Sequence, residues 1–278
     1  MATPPTNASS ERQDIASTDT RRVKIAWFEH GTSRIFYEEQ GSGIPVLVLP
    51  GFSQGNEEFS YLREALMAAG YRVIAADLPG SGRSEPQPRT YTATYYEEDT
   101  HAFVALLRHL ATEPTHLIGF SDGAEVSLLM ATLIPEGVRS VVVWGAAGVI
   151  NDPDGRMREA IYNIVDHPIP PLQPLHDFLV ATYGEANARV MTQSHVDALS
   201  DIIKGGGELS RSTADRITCP VLLISGEHDM FAAPALAAKL AASIPTAEVL
   251  VAEGAEHNVY RERPEWLTQT IIDWVEKH

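Results

Sequence analysis

A single serine stands where a short apolar run gives way to a helical pattern. The run covers residues 115–118 (Thr-His-Leu-Ile), the helical pattern begins near Ala124, and residues 119–123 between them are Gly-Phe-Ser-Asp-Gly, with the serine at Ser121. Glycines two positions before and after the serine suit a turn in which the backbone is strained and neighbouring chain approaches closely. The pattern predicts a strand that turns sharply into a helix, with the Ser121 side chain raised above the end of the strand.

Strand-like and helix-like segments alternate along much of the chain. Residues 23–28 and 33–38 predict an antiparallel hairpin. Further apolar strands are predicted at 46–49, 73–76, 116–119, 141–144, 221–225 and 248–251. Helices are predicted at 61–69, at 95–110 and from Pro264 onward. This alternation predicts an α/β fold with a mostly parallel, doubly wound sheet and antiparallel strands at its N-terminal side.

Two later strands are each followed by a residue that a reactive serine needs. Asp229 lies in the loop after the strand at 221–225, and His257 lies beyond the strand at 248–251. Because the carboxyl ends of parallel strands open onto one crevice, we expect both side chains to meet Ser121 there. Histidine would serve as the base, and the carboxylate would orient it. Glu227 and Asp152 are the alternative candidates for the acid.

The order Ser, Asp, His, with a strand before each member, resembles the α/β-hydrolase pattern from about Val23 to the C-terminus. The resemblance implies an α/β-hydrolase fold and a serine hydrolase that cleaves carboxylic esters through an acyl-enzyme. It also implies backbone donors for an oxyanion, and we expect these to be the N–H groups of Phe52 and Asp122. Both residues are then expected to contact the substrate.

The segment between Trp144 and Val221 is far longer than an ordinary connection. Helical stretches are predicted within it at 175–183 and 186–203. We expect residues 149–216 to form a helical cap, inserted after the sixth strand, that covers the crevice and excludes water. Residues 21–148 and 217–278 would form the hydrolase core, and residues 1–20, which are polar and rich in Ser, Thr and Pro, are expected to be a disordered leader.

The carboxylate of Asp122 is unexpected directly beside the nucleophile. It would oppose the developing oxyanion, and burial without a partner would be costly. One interpretation gives it a protein partner, such as an arginine or a cap residue, and the other makes it the counter-ion of a cationic substrate group such as an α-ammonium.

A narrower resemblance bears on this choice. Residues 119–123, 143–146 (Val-Trp-Gly-Ala) and 49–51 (Leu-Pro-Gly) resemble the biphenyl hydrolase-like proteins, or valacyclovir hydrolases. This resemblance implies a preference for amino-acid esters, with an acidic residue beside the serine. The chain departs from these relatives at Phe52 and at Ala124, where they tend to have a second glycine.

The composition of the chain argues against nucleic acids and membranes as binding partners. A formal net charge of −16 with only four lysines repels phosphate backbones, so nucleic-acid binding is not expected. No apolar stretch is long enough to span a bilayer, and a cytoplasmic location is expected. The histidines show no ligand-like spacing, so neither a metal nor a cofactor is expected. The predicted partner is a small-molecule ester, bound by a monomer or homodimer.

Two alternative functions use the same fold. A hydrolase of carbon–carbon bonds in diketones would use the same three residues. A ligand-binding relative would keep the pocket without turnover. Serine at the turn disfavours dehalogenases and epoxide hydrolases of this fold, which need a carboxylate nucleophile there.

Overall fold

Eight strands lie in one sheet in the computed structural model, which describes residues 23–112 and 114–278. The predicted leader, residues 1–20, lies outside the described residues. The strands are β1 (Lys24–His30), β2 (Ser33–Gln40), β3 (Pro45–Leu49), β4 (Arg72–Ala76), β5 (Thr115–Phe120), β6 (Val138–Trp144), β7 (Val221–Gly226) and β8 (Ala247–Ala252). Their order in the sheet is β1-β2-β4-β3-β5-β6-β7-β8. Strands β1 and β2 form an antiparallel hairpin, β2 pairs antiparallel with β4, and all later pairs are parallel.

Eight α-helices connect or cover these strands in the described part of the chain. They are α1 (Ser60–Ala68), α2 (Tyr95–His109), α3 (Asp122–Leu133), α4 (Arg156–Tyr162), α5 (Gln173–Lys204), α6 (Pro234–Ala241), α7 (Val259–Glu262) and α8 (Pro264–Lys277). Short 3-10 helices lie at Asn56–Phe59, Pro135–Gly137, Pro170–Leu172 and Ser210–Arg216. None of the helices described here carries an apolar stretch long enough to cross a membrane.

The central strands are buried on both faces. Val46 and Val48 of β3 belong to the hydrophobic layer that contains α1 and α8, whereas Leu47 and Leu49 belong to the layer that contains α2 and α3. Side chains on a strand alternate between its two faces, so a strand covered by helices on both sides is apolar at most of its positions. Burial of each such side chain stabilises the fold by about 1.5–3 kcal/mol. The predicted mostly parallel, doubly wound sheet is confirmed.

The helical insertion after the sixth strand is also confirmed, and it consists mainly of α4 and α5. Helix α5 is broken at Gly184, where the backbone has φ 74° and ψ 154°, so it is two helical segments that meet at a kink. This agrees with the prediction of two helical stretches. The first segment packs with α4 through Leu179 and Tyr183 in a separate cluster that the second segment also joins through Met191 and Val196. The second segment reaches the core through Leu199 and Ile202.

Candidate active site

Ser121 lies at the tight turn between β5 and α3. Its backbone has φ 50°, a left-handed conformation that is uncommon for a residue with a side chain and that persists only where the surroundings enforce it. The N–H of Ser121 donates to the Trp144 carbonyl oxygen at 2.9 Å, and the N–H of Gly123 donates to Pro50 at 3.1 Å. A Cβ on Gly123 would lie 2.4 Å from the Pro50 carbonyl oxygen. The glycine is therefore required for close approach of α3 to the end of β3.

His257 lies between Ser121 and Asp229. Its Nε2 is 3.2 Å from the Ser121 hydroxyl oxygen, and its Nδ1 is 2.9 Å from Oδ2 of Asp229. The other carboxylate oxygen of Asp229 accepts the N–H groups of Phe231 at 2.8 Å and Ala232 at 2.9 Å. Burial raises the pKa of Asp229, but the bonds from His257 and these N–H groups outweigh it, so the pKa lies below its ordinary value. The carboxylate therefore stays ionised and is fixed in orientation.

The two alternative acids lie elsewhere. Glu227 is half exposed and accepts the N–H of Gly254 at 2.8 Å. Asp152 binds the guanidinium of Arg158 at 2.9 Å and accepts the N–H of Met157 at the start of α4. The structure thus brings Asp229, and neither alternative, into contact with His257.

The loop of residues 50–55 passes beside Ser121 from the end of β3. A Cβ on Gly51 would lie 3.1 Å from the Cβ of Ser121, so the loop passes close to the serine and leaves no room for a side chain at position 51. Within the loop, the N–H of Gln54 donates to the Gly51 carbonyl oxygen at 3.2 Å. The N–H groups of Phe52 and Asp122 donate to no acceptor among the hydrogen bonds of residues 23–112 and 114–278. Of these two predicted oxyanion donors, Asp122 directly follows the serine in the chain, and Phe52 follows Gly51, which lies beside the serine.

Asp122 is buried and has protein partners. Its Oδ1 lies 2.8 Å from the Tyr96 hydroxyl, and its Oδ2 lies 3.4 Å from the Tyr95 hydroxyl and 3.6 Å from Nε2 of His195. The last distance is long for a hydrogen bond, so His195 acts on the carboxylate mainly as a neighbouring polar group. Burial raises the pKa of Asp122, but the interactions with His195 and Tyr96 outweigh it, and the pKa is lowered.

None of these three partners of Asp122 was predicted from the sequence. Tyr95 and Tyr96 begin α2, and His195 comes from the second segment of α5, far along the chain from Asp122. The interpretation that a cap residue contacts the carboxylate agrees with this geometry. Nothing in the local pattern around position 195 singled it out.

A cavity of about 290 Å³ opens beside Ser121 and His257. Residues on its inserted-segment side are mainly apolar and include Ile150, Met157, Ile161, Leu172, Leu175 and Phe178. Two buried carboxylates, Asp122 and Glu125, also line it. Glu125 accepts hydrogen bonds from the N–H groups of Ala147 and Gly148 and from the Ser210 hydroxyl. Burial raises its pKa, although these bonds oppose the rise.

The cavity provides a polar reaction centre against an apolar wall. Such a combination suits a small molecule with a polar reacting group and an apolar body. Among residues 23–112 and 114–278, no group of three or more His, Cys, Asp or Glu side chains is arranged to hold a metal ion.

The sequence is similar to a family of known proteins and to individual hydrolases. The sequence profile described as "Alpha/beta hydrolase family" matches residues 46–270. The "Serine hydrolase BPHL" of Homo sapiens is 29% identical over 199 residues, which cover 70% of this chain and 67% of that protein. The "2-(acetamidomethylene)succinate hydrolase" of Mesorhizobium japonicum is 27% identical over 281 residues, covering 95% of this chain and 98% of that protein.

Solved structures show the same fold at lower sequence identity. A bromoperoxidase from Bacillus anthracis has a TM-score of 0.75 and 20% identity, covering 92% of this chain and all of that one. A thermophilic esterase from Thermogutta terrifontis has a TM-score of 0.70 and 21% identity, covering 91% of this chain and 98% of that one. At this level of identity the likeness establishes the fold.

Proposed function

Because the chain belongs to the alpha/beta hydrolase family, we propose that it is a serine hydrolase that cleaves carboxylic esters through an acyl-enzyme. The observation that carries the proposal is the continuous hydrogen-bonded path from Asp229 through His257 to Ser121. A serine hydroxyl is a weak nucleophile on its own and becomes effective when a base within hydrogen-bond reach accepts its proton. The path meets that requirement, and it ends in a cavity that can admit a substrate.

In the first half of the reaction, the Ser121 oxygen attacks the ester carbonyl carbon while Nε2 of His257 takes the hydroxyl proton. Asp229 holds the proton on Nδ1, so that Nε2 is the basic nitrogen, and it stabilises the positive charge that the ring acquires. His257 then returns the proton to the departing alkoxide oxygen, and the alcohol leaves. The product of this half is an ester between Ser121 and the acyl group.

Water completes the cycle by the same route. His257 takes a proton from water, the hydroxide attacks the acyl carbon, and the proton returns to the Ser121 oxygen as the acid leaves. In both halves the carbonyl oxygen becomes negative. We assign its stabilisation to the N–H groups of Phe52 and Asp122, which donate to no other described residue.

The cavity supports an uncharged ester with an apolar acyl or alcohol group as the substrate class. Its inserted-segment side is mainly apolar, and the buried carboxylates of Asp122 and Glu125 would repel a substrate that carries a carboxylate of its own. An α-aminoacyl ester is the second candidate. It is favoured by one observation, namely that an ionised carboxylate one residue from the nucleophile lines the cavity. The protein groups that already surround Asp122 support the first candidate.

The test combines active-site labelling with turnover. The wild type, Ser121→Ala and a control variant, Ser243→Ala, are treated with a fluorophosphonate and assayed with p-nitrophenyl butyrate. Ser243 is a partly exposed serine after α6. We expect labelling of the wild type and the control at Ser121, and no labelling together with a loss of at least about 1000-fold in kcat for Ser121→Ala. Wild-type turnover in Ser121→Ala would refute the proposal.

A further inference from the structure

The middle of the 50–55 loop is contacted by helix α5 of the inserted segment at two points. The first contact is made by Tyr183. Its hydroxyl donates a hydrogen bond to the carbonyl oxygen of Ser53 and accepts one from the N–H of Gly82 at 2.8 Å. Tyr183 is buried, so these bonds are shielded from water. One side chain therefore connects the loop after β3 with the loop after β4.

The second contact is made by His195. Its ring stacks on the ring of Phe52, with centroids 4.0 Å apart and planes 18° apart. Its Nε2 lies 3.0 Å from the hydroxyl of Tyr95 and 3.6 Å from Oδ2 of Asp122. His195 thus contacts both residues whose N–H groups we assign to the oxyanion. In α5 it follows the kink at Gly184, whereas Tyr183 directly precedes the kink.

The two ends of the loop are held differently from its middle. At one end Pro50 accepts the N–H of Gly123, and just past the other end the N–H of Asn56 donates to Asp77 at 2.6 Å. Both of these partners belong to the core. Residues 52 and 53 lie between these anchors and are contacted by α5, and the ring of Tyr91 lies 5.6 Å from that of Phe52.

Ser53 shows why the middle needs external support. Its backbone has φ 61°, and its hydroxyl is buried without a hydrogen-bond partner among the described residues. A non-glycine residue keeps a left-handed conformation only where neighbouring contacts enforce it. The hydrogen bond from Tyr183 to the Ser53 carbonyl oxygen is one such contact. The Phe52 N–H shares a planar peptide with the Gly51 carbonyl, and that carbonyl accepts the N–H of Gln54 at 3.2 Å. The Gln54 N–H in turn shares its peptide with the Ser53 carbonyl, so a contact on that carbonyl and a stack on Phe52 together limit how the Phe52 N–H can point.

We propose that Tyr183 and His195 are positioning residues, through which helix α5 orients the Phe52 N–H toward the oxyanion. The inference rests on the proposed function, because it assigns α5 a part in the same esterase centre. A donor that is misplaced by a fraction of an ångström stabilises the transition state less while leaving ground-state binding almost intact. Loss of either contact should therefore lower kcat and leave KM nearly unchanged.

The experiment compares four variants with the wild type. Tyr183→Phe removes the hydroxyl and keeps the ring. His195→Ala removes the stack, and His195→Phe restores a ring against Phe52 without the polar nitrogens. The control is Tyr162→Phe, on α4, whose hydroxyl forms no hydrogen bond with any described residue and whose side chain is exposed.

Each variant is assayed with p-nitrophenyl butyrate and with an aliphatic trifluoromethyl ketone, which forms a tetrahedral adduct with an active serine. We expect Tyr183→Phe and His195→Ala to lower kcat about 10- to 100-fold with KM within about threefold. Affinity for the ketone should fall in proportion to kcat/KM. His195→Phe should recover most of the loss, and Tyr162→Phe should match the wild type.

The outcomes separate the inference from the proposed function. A wild type that neither reacts with a fluorophosphonate nor hydrolyses the ester would refute the proposed function, and the inference with it. A wild type that is active, together with Tyr183→Phe and His195→Ala variants of unchanged kcat and ketone affinity, would refute the inference alone. A rise in KM with unchanged kcat would also refute it, because that pattern indicates a substrate contact. If Tyr183→Phe does not fold, the comparison of His195→Ala with His195→Phe decides the question.

Discussion

Nδ1 of His257 lies 2.9 Å from Oδ2 of Asp229, while the second oxygen of the same carboxylate is occupied by two backbone N–H groups of residues 231 and 232. The carboxylate is thus held from two sides and cannot turn away from the imidazole. This arrangement fixes which ring nitrogen carries the proton and directs the other toward Ser121.

Replacing Asp229 with Asn should show how much catalysis depends on the carboxylate that fixes the tautomer of His257. An amide at this position can present its N–H₂ to the imidazole, which favours the wrong tautomer, so we expect kcat to fall by about three to four orders of magnitude. The control is Glu227→Gln, because this half-exposed carboxylate has no contact with His257 and its replacement should leave kcat within about threefold of the wild type. Steady-state hydrolysis of p-nitrophenyl butyrate measures both. Equal effects of the two substitutions would contradict the assignment of Asp229.

The glycine after the serine turn should tolerate no side chain. A Cβ on Gly123 would lie 2.4 Å from the Pro50 carbonyl oxygen and 2.6 Å from that of Leu49, and backbone atoms at the end of a buried strand cannot retreat. We expect Gly123→Ala to lower the free energy of unfolding by about 2–3 kcal/mol and to abolish labelling of Ser121. Gly205→Ala is the matched control, because its Cβ would lie 3.3 Å from the nearest atom. Urea unfolding compares them, and similar stabilities would disprove the steric argument.

The parallel strands were predictable because burial on both faces leaves a continuous apolar run. The strand β3 and its neighbour β5 lie within one or two residues of the predicted limits. Strand β2 was predicted to end at Glu38 but continues to Gln40. The charges there did not end it because Glu38 pairs with Arg63, and Glu39 pairs with Arg72.

The meeting of Ser121, Asp229 and His257 was predictable for a topological reason. Each follows a parallel strand, and the ends of such strands converge whatever the lengths of the helices between them. The contacts of α5 with the 50–55 loop could not be predicted from the sequence in this way. They depend on the direction in which the second segment of α5 leaves the kink at Gly184, and the packing of its Leu199 and Ile202 in the core sets that direction. Position 195 therefore resembled any other helical histidine.

A buried ion pair anchors the start of α2 beside the site. The guanidinium of Arg89 donates to both carboxylate oxygens of Asp99, at 2.7 and 2.8 Å, and both side chains are buried. Removing one partner leaves an uncompensated buried charge, so Arg89→Met should lower the free energy of unfolding by about 3–5 kcal/mol. The double variant Arg89→Met/Asp99→Leu should recover most of this loss. Urea unfolding of both variants tests the pair, and a single variant within about 1 kcal/mol of the wild type would contradict it.

Asp77 should make stability depend on pH in an unusual direction. Burial raises its pKa to about 6 from the ordinary 3.8, although the N–H groups of Arg83 and Asn56 oppose the rise. Between these two values the folded chain keeps a proton that the unfolded chain has lost, so the free energy of unfolding falls as pH rises. The contribution lost between pH 4 and pH 7 is about 2–3 kcal/mol. The measurement is the difference in unfolding free energy between the wild type and Asp77→Asn at these two pH values. A difference that does not change with pH would refute the expected titration.

The contacts of Asp122 predict the substrate preference. Both oxygens of this carboxylate already face the hydroxyls of Tyr95 and Tyr96 and the ring of His195. An α-ammonium would have to displace at least one of these groups, so the gain from a new charged hydrogen bond, about 1.5–3 kcal/mol, is offset by the loss of an existing contact. We therefore expect p-nitrophenyl butyrate to be hydrolysed with a higher kcat/KM than a matched α-aminoacyl p-nitrophenyl ester. Asp122→Asn should change the ratio of the two constants by less than about threefold, even if both constants fall. Using a ratio cancels any common effect on the neighbouring oxyanion donor. A preference of more than about tenfold for the aminoacyl ester that disappears in Asp122→Asn would instead make Asp122 the counter-ion of the ammonium group.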